Sequence, residues 1–271
     1  MALVFDLLAD EGRVTSCLLD PSVVSSDLIS GCAGSILMSG TLYPTSMYAD
    51  TLGINRDSSI EMAYSSPFSP DRRPAIIASD VTTRYAERGE ANTEKIRDHI
   101  RSVLDSTPGN VAVFTTSYGI LNDILEDRSW VNRSFRIKEE DPEMRKSDVS
   151  KILKSLEGGN SKNVLFGVMG GRFSEGVDYS GGVLSAAICV GLPLPPPSSR
   201  QSATLEYMSQ RFGRERGWRY AAGQPAVNSV LQAMGRPIRK EEDRAILVML
   251  EKRFGDRTYS RLLPDSLVTI P

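Results

Sequence analysis

The sequence predicts an α/β protein: a parallel sheet with helices on both faces. Three observations carry the prediction. From Ala75 onward, short apolar runs alternate with stretches whose apolar residues recur at helical spacing. Two of the runs, Val164 to Val168 and Val183 to Val190, are apolar nearly throughout, with Gly167 in the first and Ser185 in the second, the pattern of strands buried on both faces and hence of a parallel sheet. The chain has 271 residues, enough to bury one full core and part of a second.

Taken in order, Val14 to Leu19 reads as a strand, Asp20-Pro21-Ser22 as a turn, and the residues around Ser26 as a helix. Ser35 to Met38 reads as a strand running into the small-residue loop Ser39-Gly40-Thr41-Leu42, a coupling element or a plain strand-to-helix turn. Between Arg56 and Arg73 the chain is rich in serine, proline and charge. Pro67, Pro70 and Pro74 block regular structure, so residues 56–74 read as a linker. Then follow strand Ala75 to Ala78, helix Asn92 to Leu104 with Ile96, Ile100, Val103 and Leu104 inward, and strand Val111 to Thr115. A helix over Leu121 to Leu125, a strand over Ser134 to Ile137 and a helix over Val149 to Leu156 complete the alternation before the two apolar strands. Leu205, Met208 and Phe212 lie at helical spacing, as do Val227, Val230, Leu231 and Met234. Pro225 suits the first turn of that last helix and Gly235 its stop, and the apolar run Ala245 to Leu250 closes the pattern as a strand.

Composition removes several kinds of chemistry. The formal charge of −2 leaves no global signature of nucleic-acid binding, so a basic patch would be local, as Arg211, Arg214, Arg216 and Arg219 suggest. Three cysteines, Cys17, Cys32 and Cys189, lack C-x-x-C spacing; they suit a reducing compartment and neither a disulfide framework nor a zinc site. His99 is the only histidine and sits on a helix flank, which leaves a Ser-His-Asp or His-metal mechanism almost no raw material. No run of 18 apolar residues and no signal peptide occur, so the expectation is a soluble, unexported protein with no membrane partner, cytoplasmic, or nuclear in a eukaryote.

Ligands of parallel sheets gather off the carboxyl ends of the strands, and the strand-end segments carry the candidate chemistry. Thr116-Ser117-Tyr118 follows a strand and opens a helix; Ser117 and the free amides suit a backbone phosphate and Tyr118 a stacked base, or Ser117 is an ordinary helix cap. Met169 to Asp178 joins glycines, which allow close approach to a ligand, to Arg172 and to Glu175 and Asp178, which can accept from a ribose hydroxyl or orient an arginine. Arg216, Trp218, Arg219 and Tyr220 interleave charge with aromatic rings, suiting a single-stranded nucleic acid groove or, equally, a solvated arginine face with Trp218 in the core. Gly235-Arg236-Pro237-Ile238-Arg239 holds two guanidiniums on a short constrained loop beside Gln232. Planar, permanently charged forks there suit phosphate oxygens whose charge grows during transfer.

Ser39–Leu42, Thr115–Tyr118, Gly170–Asp178, Gly191–Pro193 and Gln232–Arg239 resemble, in order and spacing, the carboxyl-terminal half of the XPD family of superfamily-two iron-sulfur DNA helicases. The resemblance covers most of the chain. It implies a RecA-like motor domain, the second of two, over residues 75–271, with residues 1–55 the end segment of the first. It implies that Arg239 is the arginine finger with Arg236 beside it, that Gln232 senses the nucleotide, and that Asp178, with Glu175 and Gly176, binds nucleotide and couples it to DNA. Ser117, Tyr118, Arg172, Trp218 and Arg219 would line the single-stranded DNA. Pro237 departs from the aliphatic or small residue expected there but leaves both arginines in place.

No G-x-x-x-x-G-K-[ST] loop and no Asp-Glu-x-His box occur, so ATP and magnesium would be held mainly by an amino-terminal half of the same helicase, which would also carry the 4Fe-4S cluster. The resemblance implies an ATP-dependent 5′ to 3′ helicase of nucleotide excision repair, with single-stranded DNA, that amino-terminal half and repair-complex proteins as partners. This chain alone would be inactive. Two alternatives stand beside this reading: a non-catalytic DNA- or protein-binding platform of a repair assembly, and a self-contained nucleotide enzyme, which the missing phosphate loop disfavours.

Overall fold

A computed structural model of the protein describes every residue except 1, 9, 10, 158–160, 180, 266, 268 and 271. The chain opens with an antiparallel hairpin, β1 (Ala2–Leu8) and β2 (Glu11–Cys17), followed by α1 (Ser22–Ser30) and α2 (Thr45–Leu52). The β/α alternation follows: β3 (Ala75–Ala78), α3 (Glu90–Ser106), β4 (Asn110–Thr115), α4 (Tyr118–Leu125), β5 (Phe135–Glu139), α5 (Lys146–Glu157), β6 (Lys162–Val168) and β7 (Leu184–Val190). Three helices come next, α6 (Ser199–Phe212), α7 (Arg214–Trp218) and, after a π-helical turn at Arg219–Gly223, α8 (Gln224–Met234). β8 (Ile246–Leu250), α9 (Arg257–Ser260) and the two-residue β9 (Thr269–Ile270) complete the chain.

These elements form two compact units, residues 1–65 with 194–228 and residues 66–193 with 229–271. The sequence expectation ran 75–271 without a break. Residues 194–228 instead cluster with the amino-terminal segment, because their polar side chains find partners there. Asp20 accepts from Ser22 Oγ at 2.6 Å and from the Tyr207 hydroxyl, and pairs with Arg211. Tyr220 donates to Asp50 at 2.6 Å, and Asn228 donates to the Tyr48 hydroxyl at 2.8 Å. Val4, Cys17 and Leu19 form the small apolar core of this unit, with Ala203 and Tyr207 against it.

One further expectation is corrected in this unit. Ser35 to Met38 is not a strand: its backbone has no ladder partner among the described residues, since β1 and β2 pair only with each other, and Ile36 and Met38 are exposed. Pro225 lies in the first turn of α8, as its sequence position suggests, directly after the π turn.

The second unit carries a seven-stranded sheet in the order β5-β6-β4-β7-β8-β3-β9, every pair parallel. Side chains alternate across each strand, so Val111, Val113, Ile188 and Val190 face α3 and α4 and join Ile96, Ile100, Leu104, Leu121 and Ile124 in one core. Cys189 points the other way and touches the Val230 carbonyl of α8, Sγ to O 3.9 Å. Helices therefore cover both faces. Buried Arg97 ties α3 to the free carbonyls at the end of α4, donating to Asp123 O at 2.6 Å and Ile124 O at 3.1 Å.

Candidate functional site

Two groups of predicted residues come together within the sheet-bearing unit, at different places. The first lies off the carboxyl ends of β4, β5 and β6. Ser117 caps α4, its hydroxyl accepting from Ile120 N at 3.3 Å, so the cap reading holds for its side chain. Tyr118 is half-buried against the core, and its hydroxyl donates to Glu140 Oε1 at 2.7 Å. Burial first, then the adjoining Glu140 carboxylate, push the Tyr118 phenol above its ordinary value. Arg172 is exposed, and its amide donates to the same Oε1 at 2.8 Å.

Glu140, absent from the sequence reading, organises this group. Only 3% of it is exposed, and it also accepts from Phe173 N at 3.0 Å and Val168 N at 3.4 Å through Oε2. A Cβ at Gly171 would fall 2.1 Å from Oε1, so only glycine lets the loop after β6 close over the carboxylate. One signal pointed to it: the acidic run Glu139-Glu140-Asp141 immediately after a strand.

The second group lies on the crossover from β6 to β7 and the loop from α8 to β8. That loop leads to the amino end of β8, so the arginines do not stand among the carboxyl-end segments where the strand-end rule looked for chemistry. They meet the crossover halfway. Arg236 Nη1 donates to Val177 O at 3.0 Å, and Arg239 Nε lies 3.6 Å from Asp178 Oδ1. Burial, then the neighbouring Arg239 charge, lower the pKa of the Arg236 guanidinium, and its Nε is buried without a hydrogen-bond partner. Gly176 has φ +66°, a left-handed conformation that turns the crossover beside Glu175. Asp243, also missed from sequence, shapes the arginine loop by accepting from Arg239 N and Lys240 N, both at 2.8 Å. Gln232 is exposed in the last turn of α8.

The stretch between the groups is held by buried side chains and internal hydrogen bonds. Phe173 and Tyr179 are fully buried, and the Tyr179 hydroxyl donates to Phe173 O at 2.8 Å across six residues. Ser174 Oγ donates to Val168 O at 2.9 Å. Trp218 and Arg219 belong to the other unit: Trp218 is half-buried at the end of α7, and Arg219 Nε donates to Gln224 Oε1 at 3.4 Å. Among the described residues no three His, Cys, Asp or Glu side chains gather as a metal site. No helix among them is long and apolar enough to cross a membrane.

Residues 100–269 match the helicase C-terminal domain model. The ATP-dependent DNA helicase XPD of Sulfolobus acidocaldarius is 27% identical over 235 residues, covering 84% of this chain and 40% of that protein. The ATP-dependent DNA helicase CHL1 of Debaryomyces hansenii is 24% identical over 289 residues, 95% of this chain and 35% of its own. A solved XPD helicase superposes with a TM-score of 0.69 at 24% identity, over 89% of this chain and 43% of that one, a likeness of fold. The chain thus spans 40% or less of the length of these two curated relatives. Its parallel sheet flanked by helices is RecA-like, and it resembles the carboxyl-terminal half of XPD helicases. With more than half its residues inside the matched region, this chain belongs to the helicase C-terminal domain family.

Proposed function

We propose that the chain is the second motor domain of an ATP-dependent 5′ to 3′ DNA helicase acting in nucleotide excision repair. Its contribution is the arginine finger and part of the single-stranded DNA track. One observation carries the reading: two guanidiniums, Arg236 and Arg239, converge on Val177 and Asp178, with the Arg236 Nε desolvated and unpaired. A buried, unsatisfied guanidinium N–H beside a second positive charge costs free energy unless an anion arrives. A triphosphate presented by another domain supplies that anion. Charge on the transferred phosphoryl oxygens is greatest in the transition state, so fixed forks aimed there accelerate transfer more than they tighten binding.

In this reading Arg239 touches the γ-phosphate and Arg236 holds its neighbour's position and the adjoining oxygen. Asp178 and Glu175 orient the arginine and the ribose, and Gln232 senses the bound nucleotide from the end of α8. Ser117, Arg172 and Tyr118 contact single-stranded DNA from the sheet-bearing unit; Trp218 and Arg219, which belong to the other unit, are DNA contacts as well. Binding is through phosphates and stacking, without readout of base edges. In this reading ATP and its magnesium would be held mainly by the amino-terminal half of the longer helicase, which would also carry the 4Fe-4S cluster.

The test is Arg239→Ala in the longer helicase. Turnover of ATP is expected to fall on the order of a thousandfold with much smaller changes in ATP and DNA binding, and Arg239→Lys should restore little, since an ammonium is not a planar fork. Near-normal unwinding by the alanine variant refutes the assignment, as does steady ATP hydrolysis by the isolated 271-residue chain.

A further inference from the structure

We propose that Glu140 is a positioning residue that links the DNA-facing start of α4 to the nucleotide-facing crossover. This deepens the helicase reading and rests on it. The link is one oxygen atom. Glu140 Oε1 accepts both the Tyr118 hydroxyl, 2.7 Å, and the Arg172 amide, 2.8 Å. Tyr118 is the first residue of α4, next to the cap residue Ser117; Arg172 opens the hydrogen-bonded stretch that ends at Asp178 and Tyr179.

A scaffold alone does not call for this arrangement. Two loop amides can be satisfied by a serine, an asparagine or a water, whereas burying a carboxylate costs several kcal/mol unless several donors converge on it. Four donors converge here, and one of them, the phenol, comes from a different strand-end segment. Two glycines, Gly167 and Gly171, leave the space: a Cβ on either would stand 2.7 Å or less from a Glu140 oxygen. Displacing Tyr118 as DNA settles on Ser117 therefore moves the oxygen that also holds Arg172. The Tyr179 to Phe173 hydrogen bond carries that shift along the crossover toward Asp178 and its partner Arg239.

The experiment measures ATP turnover by the longer helicase with saturating single-stranded DNA and without it, together with DNA affinity, for Tyr118→Phe, Glu140→Gln and the double variant. Tyr118→Phe removes one oxygen and leaves both loop amides bonded, so it carries the test even if Glu140→Gln does not fold. The stimulation ratio at saturating DNA is expected to fall about tenfold in each single variant, and no further in the double variant, because both cut the same link. Weaker DNA affinity with full stimulation at saturation overturns the proposal, since it marks Tyr118 as a DNA contact only. Single-variant losses that multiply in the double variant overturn it too. A wild-type helicase whose turnover DNA does not stimulate removes the functional reading itself; a stimulated wild type whose variants keep their stimulation removes this inference alone.

Discussion

Replacing Glu251 by glutamine should cost about 3–4 kcal/mol, because the glutamate closes the sheet-bearing unit with a buried charge pair. Glu251 follows β8 and is fully buried. It accepts from Thr82 Oγ1 at 2.6 Å, Thr83 N at 3.0 Å, Thr83 Oγ1 at 3.2 Å, and Arg253 Nη2 at 2.7 Å, joining the ends of β3 and β8. The amide removes the counter-charge of Arg253, itself only 7% exposed, and an uncompensated buried charge costs about 3 kcal/mol or more. It also turns an acceptor into a donor facing Thr83 N–H, about 1 kcal/mol further. Arg253 keeps Thr83 Oγ1 at 3.2 Å and the face of Tyr259 at 5.9 Å, which holds the total to the lower part of the range. At about 2–4 °C per kcal/mol for a chain of this size, the thermal transition that melts the sheet should drop by about 10 °C. Adding Arg253→Met should recover at least about 1 kcal/mol by removing the stranded charge. Calorimetry of the three proteins checks this; a single variant within about 2 °C of the parent, or a double variant below the single, refutes it. The pH dependence has a definite sign. Burial acts to raise the Glu251 pKa, but the Arg253, Thr82 and Thr83 donors outweigh it and hold the carboxyl below its ordinary value. Its contribution is therefore complete above the unfolded pKa near 4.5 and is lost as pH falls through the lower folded value.

Asp20 should make the other unit acid-labile in the same sense. Burial opposes ionisation, yet Ser22, Tyr207 and Arg211 bring its pKa down to about 2, so about 1–2 kcal/mol of stability should disappear between pH 3.8 and 2, and an Asp20→Asn variant should lack that acid limb in a pH series of unfolding curves. Gly171→Ala should cost about 2–3 kcal/mol, because its Cβ meets the Glu140 carboxylate at 2.1 Å; Gly255→Ala, with nothing within 4 Å, should stay within about 0.5 kcal/mol in the same denaturation assay.

Much of the fold is legible because local pattern decides it. β4, β6, β7 and β8 are apolar runs bounded by polar or glycine-bearing turns, and α3 and α4 show the apolar spacing that packs against them. Legibility ends where partners are distant. Ser35 to Met38 has the composition of a strand, but a strand exists only with a neighbour to satisfy its backbone. The short helix α2 is weakly amphipathic, with only Met47 and Ala49 buried, and offered no spacing to read. The assignment of residues 194–228 to the first unit rests on bonds such as Tyr207 to Asp20, 187 positions apart, and no local pattern encodes those.

The site divides along the same line. Arg236, Arg239, Glu175, Gly176 and Asp178 could be singled out as candidates because each lies in a contiguous stretch whose residue types suggest a role, the arginines toward phosphate oxygens and the carboxylates toward a ribose hydroxyl or an arginine. That the stretches face each other follows from connectivity: the β6–β7 crossover runs back toward the amino end of β7, which pairs with β8, and the arginine loop feeds the amino end of β8. Glu140 needed one more fact, the order of the strands. In sequence the strands run β4, β5, β6, but in space β6 stands between β5 and β4. The loop after β6 is therefore flanked by the segment after β4, with Tyr118, and by the segment after β5, with Glu140, and a carboxylate on one side can hold the loop and reach across to the other. A chain folded with β4 between β5 and β6 would put the same residues at the same spacings and give the same sequence signals, yet the segment after β4 would separate Glu140 from the loop after β6.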